Sequence, residues 1–230
     1  MPKQDRMRVL RSLLPLLSSL IWGTAAAQMP SAEEFQSAVA AAQPQARALD
    51  LKLRTDALWL RALQAQAPMV AALSAGECHI GYNGYTPRTD FSWMFPALPA
   101  EQRAAWIGGV IHHELAHCAD LQDRRNGADA LATGRDSRRS REVLADLAFA
   151  LHVTQQVPQG RALVARLAAL RAARRNEDPG HDTSAALRCF LAESTPVPAA
   201  HSWLATLKAW QTHCVAGDAP SDAVRDMNSR

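Results

Sequence analysis

The sequence predicts a mainly α-helical protein of the α+β class, with a small β element ahead of its central helix. Along most of the 230 residues, apolar side chains recur at spacings of three and four, as they do on amphipathic helices. The exception is the stretch 75–95, in which glycines, tyrosines and a proline indicate short strands and turns. A chain of this length can bury one sizeable core, so we expect a single domain.

The first 27 residues are typical of a secretory signal peptide. A basic start precedes a short apolar run, Leu13–Trp22, and the small residues Ala25–Ala27 supply a cleavage point before Gln28. Because that run is too short to span a bilayer comfortably, a cleaved signal is preferred to a retained anchor. We therefore expect a periplasmic or secreted protein, with one domain over 28–216 and a loose tail over 217–230.

Charge gives little support for nucleic-acid binding once the signal is removed. Lys and Arg number 25 and Asp and Glu 22 in the whole chain, and four of the basic residues and one of the acidic residues lie in the signal. The mature chain therefore has 21 of each and no formal net charge. Without a basic excess we expect no nucleic-acid partner, and after cleavage no stable membrane insertion. The arginines clustered at 124–125, 135–141 and 161–175 are interpreted as solvated helix faces.

The N-terminal part of the domain is predicted to be helical packing material. Ser31 is a suitable N-cap with two glutamates after it, and Pro44 should divide or kink this helix. A second helix is predicted over 46–66. The best strand candidate is Cys78–Asn83, which could pair with a substrate backbone or form an ordinary hairpin over the central helix. His79, within that strand, could add a polar group to the cleft.

The central helix, predicted to begin at Pro99, carries an H-E-x-x-H motif. His113 and His117 are one turn apart, about 40° around the helix axis, and Glu114 falls in the same arc. Two imidazoles in this arrangement can hold a zinc ion, and the carboxylate between them can take a proton from a zinc-activated water. The alternative is a pair of surface histidines beside an acid on an amphipathic helix. His112, turned about 100° from His113, is assigned to the core or to a layer behind the site.

A polar connection over 123–138 leads to a second helix that Ser140 can cap. Its acids, Glu142 and Asp146, are one turn apart and adjoin leucine and alanine positions that should be buried. A carboxylate on the apolar side of a helix requires a partner. A zinc ion and a zinc-bound histidine would provide such partners. Further helices are predicted over 160–175, 184–193 and 199–213.

In combination, HELAH at 113–117 and EVLAD at 142–146 resemble the gluzincin metallopeptidases, the clan that includes thermolysin. Members pair H-E-x-x-H with a glutamate on a second helix, often as E-x-x-x-D. The resemblance implies a zincin-like domain and an exported zinc metallopeptidase that cleaves peptide or protein substrates with zinc-activated water. By position it implies the zinc ligands His113, His117 and Glu142. It also implies Glu114 as general base and Asp146 as the carboxylate behind a zinc-bound imidazole.

The same clan commonly supplies a histidine or tyrosine after the glutamate helix to stabilise the oxyanion. His181, in the polar loop 176–183, is the candidate for that catalytic role. Tyr82 and Tyr85 are alternates, and Arg188 is a candidate positioning charge. The other histidines, at positions 152, 201 and 213, are left unassigned.

Asp123 is the rival to Glu142 as third ligand. Metzincin-type sites place a ligand six residues after the second histidine, which is position 123 here. The glycine that turns the chain back toward the metal in those sites is replaced by Asp120. On a continuous helix, Asp123 also lies about 240° around from His117. Glu142 is therefore preferred.

Four cysteines in an exported chain indicate two disulfides, with three connectivities open. The pairing of Cys78 with Cys118 and of Cys189 with Cys214 is preferred because it joins neighbours in the sequence. The first bridge would then tie the segment before the central helix to that helix. Cys118 as a metal-binding thiolate is the competing assignment.

Two other functions are compatible with this pattern. A non-catalytic zinc-binding envelope protein would use the metal for structure or for a partner, although a structural site has no use for Glu114. A zinc amide hydrolase acting on cell-wall peptides would use the same groups as a protease. The sequence favours a zinc metallopeptidase and predicts no particular oligomeric state.

Overall fold

Six α-helices and one three-stranded sheet form the part of the chain that the computed structural model describes, residues 29–55, 69–82, 93–126, 135–193 and 202–216. The helices are α1 (Ala32–Ala48), α2 (Ala100–Asn126), α3 (Arg135–Gln156), α4 (Gly160–Ala173), α5 (Ser184–Ala192) and α6 (Trp203–Ala216). The strands are β1 (Lys52–Arg54), β2 (Met69–Ser74) and β3 (Glu77–Tyr82). The mainly α class with a small β element is confirmed. The predicted signal peptide and C-terminal tail lie outside the described residues.

Helix α1 begins where the sequence predicts, because Ser31 and Glu34 cap it reciprocally. The Ser31 hydroxyl accepts a hydrogen bond from the Glu34 backbone N–H at 3.1 Å, and the Glu34 carboxylate accepts one from the Ser31 N–H at 2.7 Å. The helix continues through Pro44 and ends at Ala48. The predicted division into two helices at Pro44 is therefore wrong.

The predicted helix over 46–66 is also wrong at its start. The chain turns at Asp50, whose φ is 55°, and then enters β1. Leu51 and Leu53 are both buried, at the two-residue spacing of a strand. Leu49 and Leu53 fit a helix equally well by their four-residue spacing. Pairing with β3, a strand distant in the sequence, decides between the two patterns.

Strand β3 is the middle strand of the sheet and confirms the strand predicted from Cys78, although Asn83 itself lies outside the described residues. It runs parallel to β1, with Leu53 opposite Cys78, and antiparallel to β2 along its full length. β2 occupies one hydrogen-bonding edge of β3 along its whole length, and β1 occupies the other edge only over Glu77–His79. Among the described residues no strand pairs with that second edge over 80–82, so pairing with a substrate backbone there stays a prediction. The sheet packs on α2 through β2 and β3.

Helices α2 and α3 pack closely enough to bring their polar faces together. Trp106 meets Phe149 edge to face, with ring centroids 4.9 Å apart. Two adjacent glycines of α2 permit this approach. A Cβ on Gly109 would lie 2.6 Å from the Phe149 ring, and one on Gly108 would lie 2.5 Å from His152 Nε2. The acids of α3 therefore face the histidines of α2.

Helix α3 begins at Arg135, so Ser140 does not cap it as predicted. Ser140 lies inside the helix, where its carbonyl and hydroxyl accept hydrogen bonds from Gln211 of α6. The first turns of α3 are arginine-rich, and a solvated segment of this kind lacks the apolar periodicity that would mark it as helix. Helix α2 likewise extends into the connection predicted over 123–138. The three later helices are confirmed as α4, α5 and α6.

Two disulfides join β3 to α2 and α5 to α6. They pair Cys78 with Cys118 and Cys189 with Cys214, at Cα–Cα distances of 5.7 and 5.5 Å, which confirms the preferred connectivity. The bridged Cys118 offers no thiolate to a metal. Since disulfides persist in oxidising compartments, they indicate an extracellular type of environment for this chain. No helix in the described ranges combines the length and apolarity needed to cross a membrane.

Candidate metal centre

Three side chains from α2 and α3 converge on one point. The donor atoms of His113, His117 and Glu142 all lie within 4.8 Å of one another. His113 Nε2 is 3.1 Å from His117 Nε2. The Glu142 carboxylate oxygens lie 3.6 Å from His113 Nε2 and 3.7 Å from His117 Nε2. The one-turn spacing of the two histidines places both rings on the face of α2 that α3 covers.

The chemistry and spacing of these donors fit a metal ion. Two imidazole nitrogens and one carboxylate are a three-ligand set found in catalytic zinc sites. Ligand atoms that lie about 2.0–2.2 Å from a tetrahedral ion are roughly 3.3–3.6 Å from one another. Here the two Nε2 atoms are 3.1 Å apart, and they lie 3.6 Å and 3.7 Å from Glu142 Oε2 and Oε1, respectively. The cluster could therefore hold a metal ion with little rearrangement.

His113 is oriented from behind by Asp146. Its Nδ1 lies 2.8 Å from Asp146 Oδ1. Because an ionised carboxylate can only accept, Nδ1 carries the proton and Nε2 presents its lone pair to the cluster. Burial opposes the charged form of His113, but the hydrogen bond to Asp146 and the neighbouring negative charges outweigh it and raise the pKa of the ring.

Two residues that the sequence did not single out, Arg171 and Thr183, hold Asp146 in place. Arg171 of α4 donates from Nε and Nη2 to the two oxygens of Asp146, each at 2.8 Å. The Thr183 hydroxyl donates to Asp146 Oδ2. Asp146 is only 1% exposed. Burial raises the pKa of Asp146, but the charge of Arg171 and the hydrogen bonds more than reverse this and hold it well below its usual value.

The sequence does contain a signal for Arg171. Leu163, Leu167 and Arg171 follow one another at four-residue spacing, and the two leucines are buried on α4. The interpretation of 161–175 as a solvated arginine face is therefore wrong for Arg171, which is 6% exposed. A guanidinium on an apolar stripe requires a carboxylate. Asp146, which the sequence predicts to be a buried acid, is that carboxylate.

His181 lies at the edge of the cluster, between two carboxylates. Its Nε2 is 3.3 Å from Glu142 Oε1, and its Nδ1 is 2.6 Å from Asp178 Oδ2. A 3₁₀ turn, Pro179–His181, between α4 and α5 places it there. Burial opposes the charged form of Glu142, yet the hydrogen bond from His181 and the positive charges of the histidines lower its pKa to about 2. Glu142 is thus ionised, as a metal-binding carboxylate must be.

Burial shifts the pKa values of two groups on α2, and in each case the shift favours the neutral form of the side chain. Glu114 is buried beside the cluster and makes no hydrogen bond or ion pair with another described residue. Burial raises the pKa of Glu114 to about 7, opposed by the charge of His113 and assisted by that of Glu142. Burial, with the positive charges of His113 and Arg141, lowers the pKa of His117 to about 4. The His117 ring is therefore neutral near pH 7 and can donate a lone pair.

Among the described residues, no other candidate from the sequence is a donor of this cluster. Asp123 is 51% exposed and pairs with a lysine of α6, so it is not part of the metal centre. The Tyr82 hydroxyl donates to a backbone carbonyl just before α1, and Tyr85 lies outside the described residues. His79 lies 3.7 Å from a glutamate of its own strand. Arg188 is exposed on α5.

His112 is a core residue, in line with one of its two predicted assignments. Its ring stacks on that of His152 with centroids 3.9 Å apart, and its Nδ1 lies 2.8 Å from the Gly108 carbonyl. Burial lowers the pKa of His112 and, together with the nearby His112, lowers that of His152 to about 3. His213 pairs with a glutamate at the surface, and His201 lies outside the described residues.

Comparison with known proteins adds nothing to the geometry of the candidate metal centre. No family model, no curated protein and no solved structure matches this chain. The described residues form a cluster of two histidines and one glutamate that could hold a metal ion, with a further buried glutamate beside it.

Proposed function

We propose that this chain is an exported zinc metallopeptidase of the gluzincin type, which hydrolyses amide bonds in peptide or protein substrates. The observation that carries the proposal is the position of Glu114. This buried carboxylate has no hydrogen-bond partner among the described residues and follows directly after one histidine of a three-donor metal cluster. A structural zinc site is closed by four protein ligands and has no use for such a group. Two disulfides support export.

Each residue of the centre has a part in the proposed reaction. When bound, zinc supplies a Lewis acid that polarises the amide carbonyl and lowers the pKa of water. Glu114 takes a proton from the attacking water and passes it to the leaving amine. Asp146, held by Arg171, keeps the proton of His113 on Nδ1, so that the lone pair of Nε2 faces the cluster. His181, at the edge of the cluster, donates a hydrogen bond to the oxyanion that develops on the carbonyl.

Cleavage of a peptide library by the zinc-loaded mature chain, followed by mass spectrometry, tests this proposal. Glu114→Gln should lower turnover by about 10²–10⁴-fold, because it removes the proton acceptor. It should still bind about one zinc ion per chain, since Glu114 is not one of the three donors. The matched control is Glu101→Gln, an exposed glutamate in the first turn of α2, which should cleave as the parent does.

Each other outcome favours a different function. Turnover retained in Glu114→Gln would contradict the assignment of the base. Zinc binding by a parent chain that cleaves no peptide would favour the non-catalytic zinc-binding envelope protein. Cleavage confined to cell-wall peptides would favour the zinc amide hydrolase.

A further inference from the structure

Three arginines of α3 precede the metal-cluster residue Glu142. They are Arg138, Arg139 and Arg141. Arg138, Arg141 and Glu142 are spaced as i, i+3 and i+4, so they share one side of the helix. Arg139 is used elsewhere, because its Nε donates to the Asp182 carbonyl at 3.1 Å. The side of α3 that carries Glu142 into the cluster therefore also carries two guanidinium groups.

Arg138 reaches the edge of the cluster beside His181. Its Nη2 lies 3.4 Å from His181 Nδ1 and 3.7 Å from Asp178 Oδ2. The side chain is 54% exposed. Because Asp178 is its one acidic contact among the described residues, most of its guanidinium donors are open to solvent. An anion that approaches the cluster from the His181 side could bind them.

Arg141 makes no hydrogen bond or ion pair with another described residue, although it is only partly exposed. It directly precedes the cluster residue Glu142 on α3, and its positive charge contributes to the lowered pKa of His117. No described acid of the centre forms an ion pair with Arg141: Asp146 pairs with Arg171, Glu142 lies against the histidines, and Glu114 makes no ion pair. A partly buried guanidinium without a counter-ion is unfavourable, and an incoming anion would relieve that cost.

We propose that Arg141, together with Arg138, binds a carboxylate of the substrate next to the bond that is cleaved. This inference rests on the proposed peptidase function and adds a substrate class to it. The class is peptides that present a free C-terminal carboxylate or an acidic side chain near the scissile bond. Guanidinium groups bind carboxylates through paired, charge-assisted hydrogen bonds. The two arginines thus set specificity and take no part in bond cleavage.

The test uses four forms of a short dansylated alanine peptide, with glutamate or glutamine at its centre and with a free or an amidated C-terminus. Binding is measured by fluorescence anisotropy on the zinc-loaded Glu114→Gln variant, in which we expect turnover to be slow enough for binding to be measured. We expect at least one carboxylate form to bind about tenfold more tightly than its neutral counterpart. The free-acid and glutamate comparisons show which carboxylate is recognised.

Introducing Arg141→Gln into the Glu114→Gln variant should abolish the tenfold ratio of affinities and leave binding of the neutral peptide unchanged. Introducing Arg138→Gln instead should reduce that ratio by about threefold, because Arg138 is more exposed. The matched control is Arg166→Gln, an exposed arginine of α4, which should leave the ratio unchanged. Added salt should weaken binding of the carboxylate forms alone.

Equal binding of charged and neutral forms, no binding of any form, or a preference that survives Arg141→Gln would overturn the inference. Cleavage of the same peptides by the parent chain separates this failure from failure of the proposed function. A carboxylate preference in binding with no cleavage contradicts the peptidase. Cleavage with no carboxylate preference contradicts only the role of the two arginines.

Discussion

Two histidine pairs on two sides of α2 lie in different electrostatic environments, one within α2 and one formed with His152 of α3. On one side, His113 and His117 contact each other at 3.1 Å and meet a carboxylate of α3 at 3.6 and 3.7 Å. On the other side, about 100° around the helix, His112 stacks on His152 with centroids 3.9 Å apart. Neither ring of this second pair forms an ion pair with a described residue. Adjacent positions in the sequence therefore differ completely in their partners.

The carboxylates, and not the depth of burial, make the difference. Burial lowers the pKa of both His112 and His152, and no acid in the described part of the chain offsets it. His113 is equally buried, at 7% exposure against 8% for His112. Despite that burial, Asp146 and the other acids raise its pKa. The contrast in pKa rests on His113, since burial also lowers the pKa of His117. A histidine pair could thus hold a metal ion where the facing helix supplies acids, and it remains a ring stack where the facing helix supplies none.

The largest effect should come from removing one histidine of each pair. His117→Ala removes one of the three donors, and we expect metal affinity to fall by at least about a hundredfold. His152→Phe, which keeps an aromatic ring on the other side of α2, should retain about one zinc ion per chain. Elemental analysis of the purified mature chain gives both values. Retention of the metal in His117→Ala, or its loss in both variants, would break the distinction between the two pairs.

A smaller effect is expected from the acid behind the cluster. Asp146→Asn keeps the shape of the side chain but removes the charge that holds His113 and Arg171, so metal affinity should fall by about 10–100-fold. The matched control is Asp120→Asn. Asp120 is also a buried carboxylate, but it pairs with Arg124 on α2. Chelator competition should show a loss of affinity in Asp146→Asn alone, and equal losses would trace the effect to general destabilisation.

Local geometry explains which site residues the sequence could predict. His113, Glu114 and His117 share an arc because a helix turns by about 100° per residue. Glu142 and Asp146 share a face of α3 for the same reason. Neither relationship depends on how the helices pack, so these residues could be grouped before the packing was known. Their meeting across the α2–α3 contact additionally needed the two glycines of α2, whose role only the packing reveals.

Long-range packing explains what the sequence could not predict. The burial of Arg171 can be predicted from its place on the apolar stripe of α4, but its contact with Asp146, like that of Thr183 from the segment before α5, forms only when three elements pack together. Strand β1 is a similar case, because its leucines fit helical and strand spacing equally well until β3 pairs with it. A contact between distant segments leaves no period in the sequence.

The smallest effect concerns the response of the His112–His152 side to pH. Because the pKa of His152 is lowered to about 3 from 6.5, the folded chain keeps this ring neutral where the unfolded chain binds a proton. Above about pH 6.5 neither state is charged and the ring has no effect on stability. Below it, only the unfolded state takes up the proton, so the free energy of unfolding falls as the pH falls toward 3. The neutral His152 ring lines a groove that also contains the charged residues Glu33, Glu34, Glu101 and Arg103.

His152→Phe should remove this contribution. Its free energy of unfolding should therefore rise relative to that of the parent as the pH is lowered from about 7 to about 5. Urea denaturation of both chains at matched pH measures the difference, and titration of the metal centre largely cancels because the two chains share it. Parallel stability curves would mean that His152 binds a proton in the folded chain as readily as in the unfolded one. The groove acids would then act on His152 as Asp146 acts on His113, and the two sides of α2 would no longer differ in kind.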